Sequence, residues 1–161
     1  MKTLLVLVAA VGGMLLAGCA TVARESLGVE VLFAGGQCGG STAHPALTLI
    51  ERQAQLDSFY VRQASFGAPP PAAPRLDFSH QLALLIEMGQ RPTGGYGLAL
   101  AEPTAALEKG RLELRLDWQE PPPGLAQTQA LTSPCLLLAL PAGDYRQITI
   151  RDRQGRIRLA R

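Results

Sequence analysis

Hydrophobic and polar residues alternate along much of the second half of the chain, a pattern typical of β-strands with one buried face. The clearest case is residues 111–118, in which leucines and Trp118 alternate with charged residues. Residues 82–88 and 135–140 are almost continuously apolar, as expected for central strands buried on both faces. The pattern predicts a sheet in this half of the chain, with two fully buried strands.

Shorter strands and one helix are predicted around these segments. Three further runs have the apolar or alternating composition of strands: residues 28–33, 46–50 and 96–102. Residues 53–63 instead have an apolar face at helical spacing, formed by Leu56, Phe59, Tyr60 and Gln63. We expect a short helix there, with the Tyr60 hydroxyl at the rim of the buried face.

The carboxyl-terminal residues have the pattern of a β-hairpin. Residues 146–151 and 156–160 alternate on either side of a short turn that contains Gly155. The residues expected to face the core are Ile148, Ile150, Ile157 and Leu159. The residues expected to face solvent are Arg151, Arg153, Arg156 and Arg158, with Arg161 beyond them.

Glycine and proline separate these elements. Residues 34–41 contain four glycines and are predicted to be a loop, and residues 69–74 contain four prolines, which forbid regular hydrogen-bonded structure. One helix among many strands predicts an α+β fold, mainly an antiparallel β-sheet or small β-sandwich with one short helix.

The amino terminus has a different composition. Residues 4–17 are uncharged and follow Lys2, but the run is shorter than the ~20 residues of a membrane-spanning helix. It ends in Leu16-Ala17-Gly18-Cys19, which resembles the lipobox of bacterial lipoproteins. The resemblance implies that residues 1–18 are a signal peptide and that Cys19 is acylated as the first mature residue. A buried Cys19 thiol beside an uncleaved anchor helix is the alternative.

This resemblance also implies a location and a domain plan. Lipoproteins with Asp after the lipidated cysteine are commonly kept at the inner membrane, whereas this chain has Ala20. We therefore expect an outer-membrane lipoprotein that faces the periplasm, although the sequence leaves inner-membrane and surface placement open. Residues 19–27 are predicted to be a tether, and residues 28–161 a single β-rich domain.

The charge of the chain gives no sign of a polyanionic partner. The 15 Lys and Arg residues are nearly balanced by 13 Asp and Glu residues. The arginines of the carboxyl-terminal hairpin lack interleaved aromatic residues for base stacking. We predict a solvated edge and no nucleic-acid partner, with contact to anionic lipid or glycan as the alternative.

Two cysteines remain after Cys19, in a compartment that permits disulfides. A bridge between Cys38 and Cys135 is the predicted outcome, and two free buried thiols are the alternative. The same cysteines with His44 and His80 have zinc-ligand chemistry, but the chain has no C-x-x-C or H-x-x-x-H spacing. We predict no metal and no cofactor other than the covalent lipid.

The sequence offers weak signals for catalysis. Ser41, His44 and Asp57 could form a triad, but no G-x-S-x-G motif surrounds a serine. No spacing selects a glycosidase pair from the candidate carboxylates, which are Glu87, Glu102, Asp117 and Glu120. We predict a protein that is not an enzyme, and a small envelope hydrolase of peptide or peptidoglycan is the alternative.

Residues 78–140 have a recognisable arrangement. An apolar strand leads into Met88-Gly-Gln-Arg-Pro-Thr-Gly-Gly-Tyr96, and an amphipathic strand, a proline-rich turn and Thr132-Ser-Pro134 follow. This arrangement resembles the carboxyl-terminal domain of PrcB-type proteins, which are named for the accessory lipoprotein of a bacterial surface protease complex. The family often has an aromatic residue after Ser-Pro, where this chain has Cys135.

The resemblance implies a lipid-anchored, non-catalytic envelope protein that acts as a binding or assembly accessory, with a protease complex as its setting. The residues predicted to form a partner-binding loop are Arg91, Gly94, Gly95 and Tyr96. A purely structural role is the alternative, in which the glycines shape a turn and Tyr96 joins the core.

Overall fold

The computed structural model describes residues 24–39, 42–64 and 69–161. These residues form β1 (Glu25–Gly28), β2 (Glu30–Gly35), β3 (Ala46–Ile50), α1 (Gln53–Val61), β4 (Gln81–Glu87), β5 (Gly97–Leu100), β6 (Thr104–Glu108), β7 (Arg111–Gln119), β8 (Cys135–Pro141), β9 (Gln147–Arg151) and β10 (Ile157–Ala160). The described chain is thus mostly β-sheet with one short helix, as the hydrophobic pattern predicted. The predicted signal peptide, Cys19 and Ser41 lie outside the described residues.

The first sheet is antiparallel and has the strand order β2-β8-β4-β3. Strands β8 and β4 occupy its centre, and Leu84 pairs with Leu138 near their midpoints. Residues 82–86 and 135–140 are buried without exception, because these two strands have a neighbour on each side and protein on both faces. The two continuous apolar runs are therefore the central strands that the sequence predicted.

The second sheet has the order β1-β6-β7-β9-β10, with β5 also paired to β7. Strands β5 and β6 follow each other along the same partner, β7. The seven residues from Leu100 to Ala106 face four residues of β7, from Leu116 to Glu113, so three extra residues bulge out between β5 and β6. Strands β7 and β9 are parallel, whereas the other pairs in this sheet are antiparallel.

The two sheets share one hydrophobic core, an arrangement compatible with the small sandwich that we expected. The even-numbered leucines of β7 are buried in it, as their alternation with charged residues predicted. They pack with one face of β4 and β8 and with β9, and the largest of these side chains include Leu84, Ile86, Leu112, Leu114, Leu136 and Leu138. Replacing such a leucine by alanine typically costs about 2–5 kcal/mol.

Helix α1 covers part of the opposite face of the first sheet. Leu56, Phe59 and Tyr60 are its buried residues, as predicted from their spacing. The Tyr60 ring meets Phe33 edge to face at 5.9 Å, and its hydroxyl donates a hydrogen bond of 2.9 Å to the Leu32 carbonyl. The helix therefore ties β2 to the sheet through both an aromatic contact and a polar one.

Two strands were not anticipated. Residues 25–27, which we predicted to be part of a tether, form strand β1 together with Gly28 and pair with β6. Strand β6 forms a hairpin with β7 through a two-residue turn, in which Lys109 has φ 51° and Gly110 has φ 76°. Two positive φ angles match the twist of a hairpin, so Lys-Gly supplies the turn. Both strands are short and their alternation is weak, which hid them from the sequence pattern.

The last hairpin departs from its predicted facing. Ile157 was expected to face the core, but 57% of its surface is exposed. The pairing register between β9 and β10 shifts between Ile157 and Leu159, so simple alternation fails there.

Within the described ranges, no helix is long and apolar enough to cross a membrane.

Candidate functional site

The connection between β4 and β5, residues 88–96, contains all four residues predicted for partner binding. It begins at the fully buried Met88 and lies against the segment that precedes β8. Arg91 and Thr132 exchange two backbone hydrogen bonds, of 2.7 and 2.9 Å, and Gly94 N–H donates to the Thr128 carbonyl at 2.9 Å. The loop is thus held by main-chain bonds to a second loop, residues 127–134.

Arg91 and Tyr96 come together inside this loop. The Arg91 guanidinium lies 5.6 Å from the centre of the Tyr96 ring, and its Nη2 donates to the Met88 carbonyl at 2.6 Å. Tyr96 is partly buried and packs against the shared core. A cation–π contact of this kind typically contributes about 0.5–2 kcal/mol. Arg91 therefore closes the loop on itself, while Tyr96 anchors it to the sheets.

Two of the three glycines in the loop, Gly94 and Gly95, were predicted to contact a partner, and the structure constrains them differently. Gly95 has φ +85°, and a Cβ atom there would lie 3.0 Å from Pro121 Cβ and 2.5 Å from the Gln127 amide oxygen. A Cβ atom on Gly94 would lie 3.5 Å from Thr128 Cβ, an ordinary contact distance. Gly95 is therefore required by backbone conformation and space, whereas Gly94 is not.

A disulfide supports the second loop at its carboxyl-terminal end, where Cys135 directly follows residue 134. Cys38 and Cys135 are bonded with their Cα atoms 5.9 Å apart, which confirms the predicted pair. Cys38 N–H also donates to the Ser133 carbonyl at 3.0 Å, and Ser133 N–H donates to the Gly36 carbonyl at 3.0 Å. The glycine-rich connection after β2 thus pins residues 127–134, which in turn hold the predicted loop.

Comparison with known families supports the predicted resemblance. Residues 82–141 match the family described as PrcB C-terminal. We refer to this matched segment as the PrcB C-terminal region. It extends from the second residue of β4 to the last residue of β8 and includes both loops. No curated protein and no solved structure matches the chain.

The disulfide changes the metal-ligand set considered from the sequence. Both cysteine sulfurs are used by the bridge, which lies next to the last residue of β4, because Cys135 pairs with Glu87. His80 precedes the first residue of β4, so it lies at the opposite end of that strand. Among residues 24–39, 42–64 and 69–161, no cluster of three or more His, Cys, Asp or Glu residues could hold a metal ion.

One arrangement of Ser, His and Asp lies just before the PrcB C-terminal region. Ser79 Oγ is 2.8 Å and Asp77 Oδ2 is 2.9 Å from the same atom, His80 Nδ1. A catalytic triad needs Ser and Asp on different ring nitrogens. Hydrogen bonds from Ser79 and then His80 lower the pKa of the exposed Asp77 to about 2. The three residues form a polar turn and lack the geometry of a nucleophile.

Three of the four candidate carboxylates are bound to arginines. Glu102 lies 3.6 Å from Arg115, and Asp117 lies 3.3 Å from Arg153. Glu120 accepts hydrogen bonds of 3.2 Å from both Trp118 Nε1 and Arg158 Nη1. These contacts account for the acids as ion-pair partners on the second sheet and the turn beside it.

A buried acid that the sequence reasoning missed organises the last hairpin. Asp152 is 1% exposed and accepts hydrogen bonds from the backbone N–H groups of Gln154 and Arg156. Arg156 Nε and Arg158 Nε donate to its other oxygen at 2.8 and 2.9 Å. Burial alone would raise the pKa of Asp152, but these hydrogen bonds lower it overall. An Asp that opens a turn ending in glycine is the signal that could have revealed it.

The arginines of this hairpin are consequently not a free basic face. The Arg158 side chain is 18% exposed, lies 5.6 Å from the Trp118 ring centre and pairs with two acids. Arg151 Nε donates to Glu113 at 2.8 Å, and this hydrogen bond lowers the pKa of Glu113. The predicted outward facing is therefore wrong for Arg158.

Proposed function

We propose that this protein is a lipid-anchored, non-catalytic envelope protein that serves as a binding or assembly accessory of another envelope protein, in the setting of a protease complex. The match of residues 82–141 to the PrcB C-terminal family carries this proposal. The family resemblance supplies the accessory role, and the proposed contact surface is the loop with Arg91, Gly94, Gly95 and Tyr96.

The architecture of the loop supports a role in recognition. Main-chain bonds, a cation–π contact and the disulfide behind residues 127–134 restrict its motion before any partner arrives. Binding by such a preorganised loop costs less conformational entropy than binding by a flexible one. Leu131 lies beside the Arg91–Thr132 bridge and is 59% exposed, so it offers an apolar contact next to the loop.

The proposed anchor would keep the domain close to a membrane. Cys19, the proposed lipid attachment residue, precedes Arg24 by five positions. An extended chain of that length spans roughly 17 Å. We place the lipid in the outer membrane and the domain in the periplasm, following the lipobox resemblance and Ala20.

Photocrosslinking in cells tests the accessory role. A photoreactive amino acid at Gln129, an exposed position in the second loop, should capture an envelope protein. Leu131→Asp should reduce that product at least about tenfold, because it puts a charge into the apolar contact. Ile157→Asp is the matched control, since Ile157 is 57% exposed on the carboxyl-terminal hairpin. This variant should leave the crosslink intact.

Three outcomes would contradict the proposal. The first is the absence of any crosslinked protein, and the second is equal loss of the product in both variants. The third is turnover of peptidoglycan or casein by the purified full-length protein, because an accessory subunit should leave both substrates unchanged.

A further inference from the structure

A groove of about 510 Å³ separates strand β3 from helix α1 on the outer face of the first sheet. It lies on a different surface from the loop of residues 88–96. The apolar side chains of Ile50 and Leu85 form its floor, and each is 3% exposed. Its helix wall is formed by Ala54, Ser58 and Arg62, which follow one another at intervals of four residues.

Strand β3 has unpaired main-chain groups at the edge of the sheet beside this groove. It is the last strand of its sheet and pairs with β4 alone. In an antiparallel pair, alternate residues of an edge strand direct their N–H and C=O groups away from the partner. Among the described residues, the backbone of Ala46–Ile50 makes no hydrogen bond outside the β3–β4 ladder.

The sides of β3 have different surroundings. Leu47 and Leu49 pack against the core shared by the two sheets, whereas Ile50 belongs to the cluster under the helix. Strand β10 comes near β3 from the second sheet, but no ladder joins the two strands. The helix side is where an added strand would find both a free edge and an apolar floor.

The groove is also positively charged. Arg52 and Arg62 line it at the two ends of α1, and neither forms an ion pair with a described residue. The Arg62 guanidinium is held 5.7 Å from the centre of the Phe59 ring. The acid of this helix, Asp57, is instead bound by Gln53 and Arg75. A ligand that carries a carboxylate would therefore meet two uncompensated cations.

We propose that this groove binds an extended segment of a partner protein by strand addition to β3. The added strand would place an apolar side chain beside Ile50, at the groove, and an acidic group at Arg52 or Arg62. A free sheet edge, pockets for alternate side chains and a neighbouring helix are the elements that peptide-binding domains combine for this purpose. The site is a second binding surface, independent of the proposed loop contact.

Peptide selection on the full-length protein in detergent micelles tests the site. The probe is a phage library of random decapeptides, and we expect the selected peptides to combine Asp or Glu with β-branched residues. Ser58→Trp, which fills the groove, and Arg52→Glu with Arg62→Glu should each weaken the best peptide at least about tenfold. The matched controls Val61→Trp and Arg161→Glu change exposed residues outside the groove and should leave affinity unchanged.

Hydrogen exchange provides the decisive readout. Binding of the selected peptide should slow exchange at outward-facing amides of Ala46–Ile50, which are unprotected in the free protein. Protection at another sheet edge, binding unaffected by the groove variants, or failure to select any peptide would each overturn the proposal. Full protection of β3 in the free protein would assign the groove to the chain itself, and a dimer abolished by Ser58→Trp would assign it to a second copy. Either result would also overturn it.

These outcomes are separable from those of the loop experiment. Peptide binding at β3 with no crosslinked envelope protein would remove the accessory role and keep the groove. A crosslink lost in Leu131→Asp, together with no peptide selection, would keep the accessory role and remove the groove as a binding site.

Discussion

At the scale of single residues, Gly95 and Asp152 are two strongly constrained positions outside the leucine core. Gly95 has a positive φ angle that residues with a side chain disfavour, and Asp152 is a buried carboxylate surrounded by hydrogen-bond donors. The alternation that identified the strands does not extend to either position, because both lie in connections. Each leads to a prediction with a neighbouring residue as its control.

Gly95→Ala should destabilise the protein by about 1–2 kcal/mol, because alanine pays for a left-handed backbone angle that glycine tolerates. The added Cβ atom would also meet Pro121 and Gln127. Chemical denaturation of the purified protein measures the change. Gly94→Ala is the control and should cost less than about half of this, since its Cβ would make an ordinary contact. Equal losses in the two variants would mean that Gly95 is not strained in this way.

Asp152→Asn should lower the melting temperature by about 5 °C or more at neutral pH, because both arginines would then lack their buried acceptor. The pKa of Asp152 is lowered in the folded protein, so its carboxylate stabilises the fold above the unfolded pKa of about 3.9. That contribution is lost as pH falls through the folded pKa.

The gap in melting temperature between wild type and Asp152→Asn should therefore stay constant from pH 7 to about 5 and shrink below about pH 4. Asp144→Asn is the control, since the Asp144 side chain is 87% exposed and lies 3.8 Å from Arg146. It should show little gap at any pH. A gap for Asp152→Asn that widens in acid would contradict the assigned role.

At the scale of secondary-structure elements, the strength of the local pattern separates the successes from the failures. Strands β4, β7 and β8 are long and strongly patterned, and their burial matches the prediction. Strands β1 and β6 are four and five residues long and owe their existence to each other and to β7. Short strands of this kind are stabilised by pairing, which residues distant in sequence provide.

The disulfide connects elements that neither strand pattern nor turn chemistry would link. Replacing both Cys38 and Cys135 by serine should cost about 2–5 kcal/mol, because the bridge closes a loop with a sequence separation of 97. Denaturation with and without reductant measures this cost. Reductant should shift the wild-type curve and leave the double variant unchanged.

The same double variant should loosen the predicted partner-binding loop. Residues 127–134 would lose the covalent support at Cys135, so the amides of Arg91 and Thr132 should exchange faster with solvent. The amides of Leu84 and Leu138, in the sheet centre, serve as internal controls and should change less. Faster exchange at all four amides alike would show general destabilisation, without a specific effect on the loop.

At the scale of the whole molecule, the two proposed binding surfaces lie on different parts of the fold. The two sheets bury a common core, α1 covers part of the outer face of the first sheet, and the candidate loop lies at the end where β4 leaves and β8 begins. The groove beside β3 is a separate opening on the first sheet. Two separate surfaces of this kind, if both bind as proposed, suit a protein that joins other components together.

The proposed anchor yields a prediction for the whole protein. Cys19→Ser should move the protein from the membrane fraction to the soluble fraction, because the acyl chains would have no attachment atom. Alkaline extraction of membranes followed by immunoblotting makes the measurement. Cys38→Ser with Cys135→Ser is the control and should leave the protein with the membranes. A Cys19→Ser protein that is still lipidated would show that the anchor lies elsewhere.

Local pattern in the sequence was sufficient for much of this protein. Alternation, continuous apolar runs and Gly or Pro clusters act between neighbouring residues, so they identified the central strands, the helix and the candidate loop. The cysteine count correctly paired Cys38 with Cys135. The family resemblance also required only the order of residues along the chain.

Features that depend on contacts between distant segments needed the folded chain. The pairing of β1 with β6, the shifted register at Ile157 and the burial of Asp152 each involve partners that no local pattern specifies. The arginines of the last hairpin show the reason most directly. Their alternation predicts exposure, but Arg158 lies next to Asp152 and Trp118 only because β10 folds back on β9, which in turn pairs with β7. A side chain's environment is set by all the elements that converge on it, and that convergence is a property of the tertiary structure.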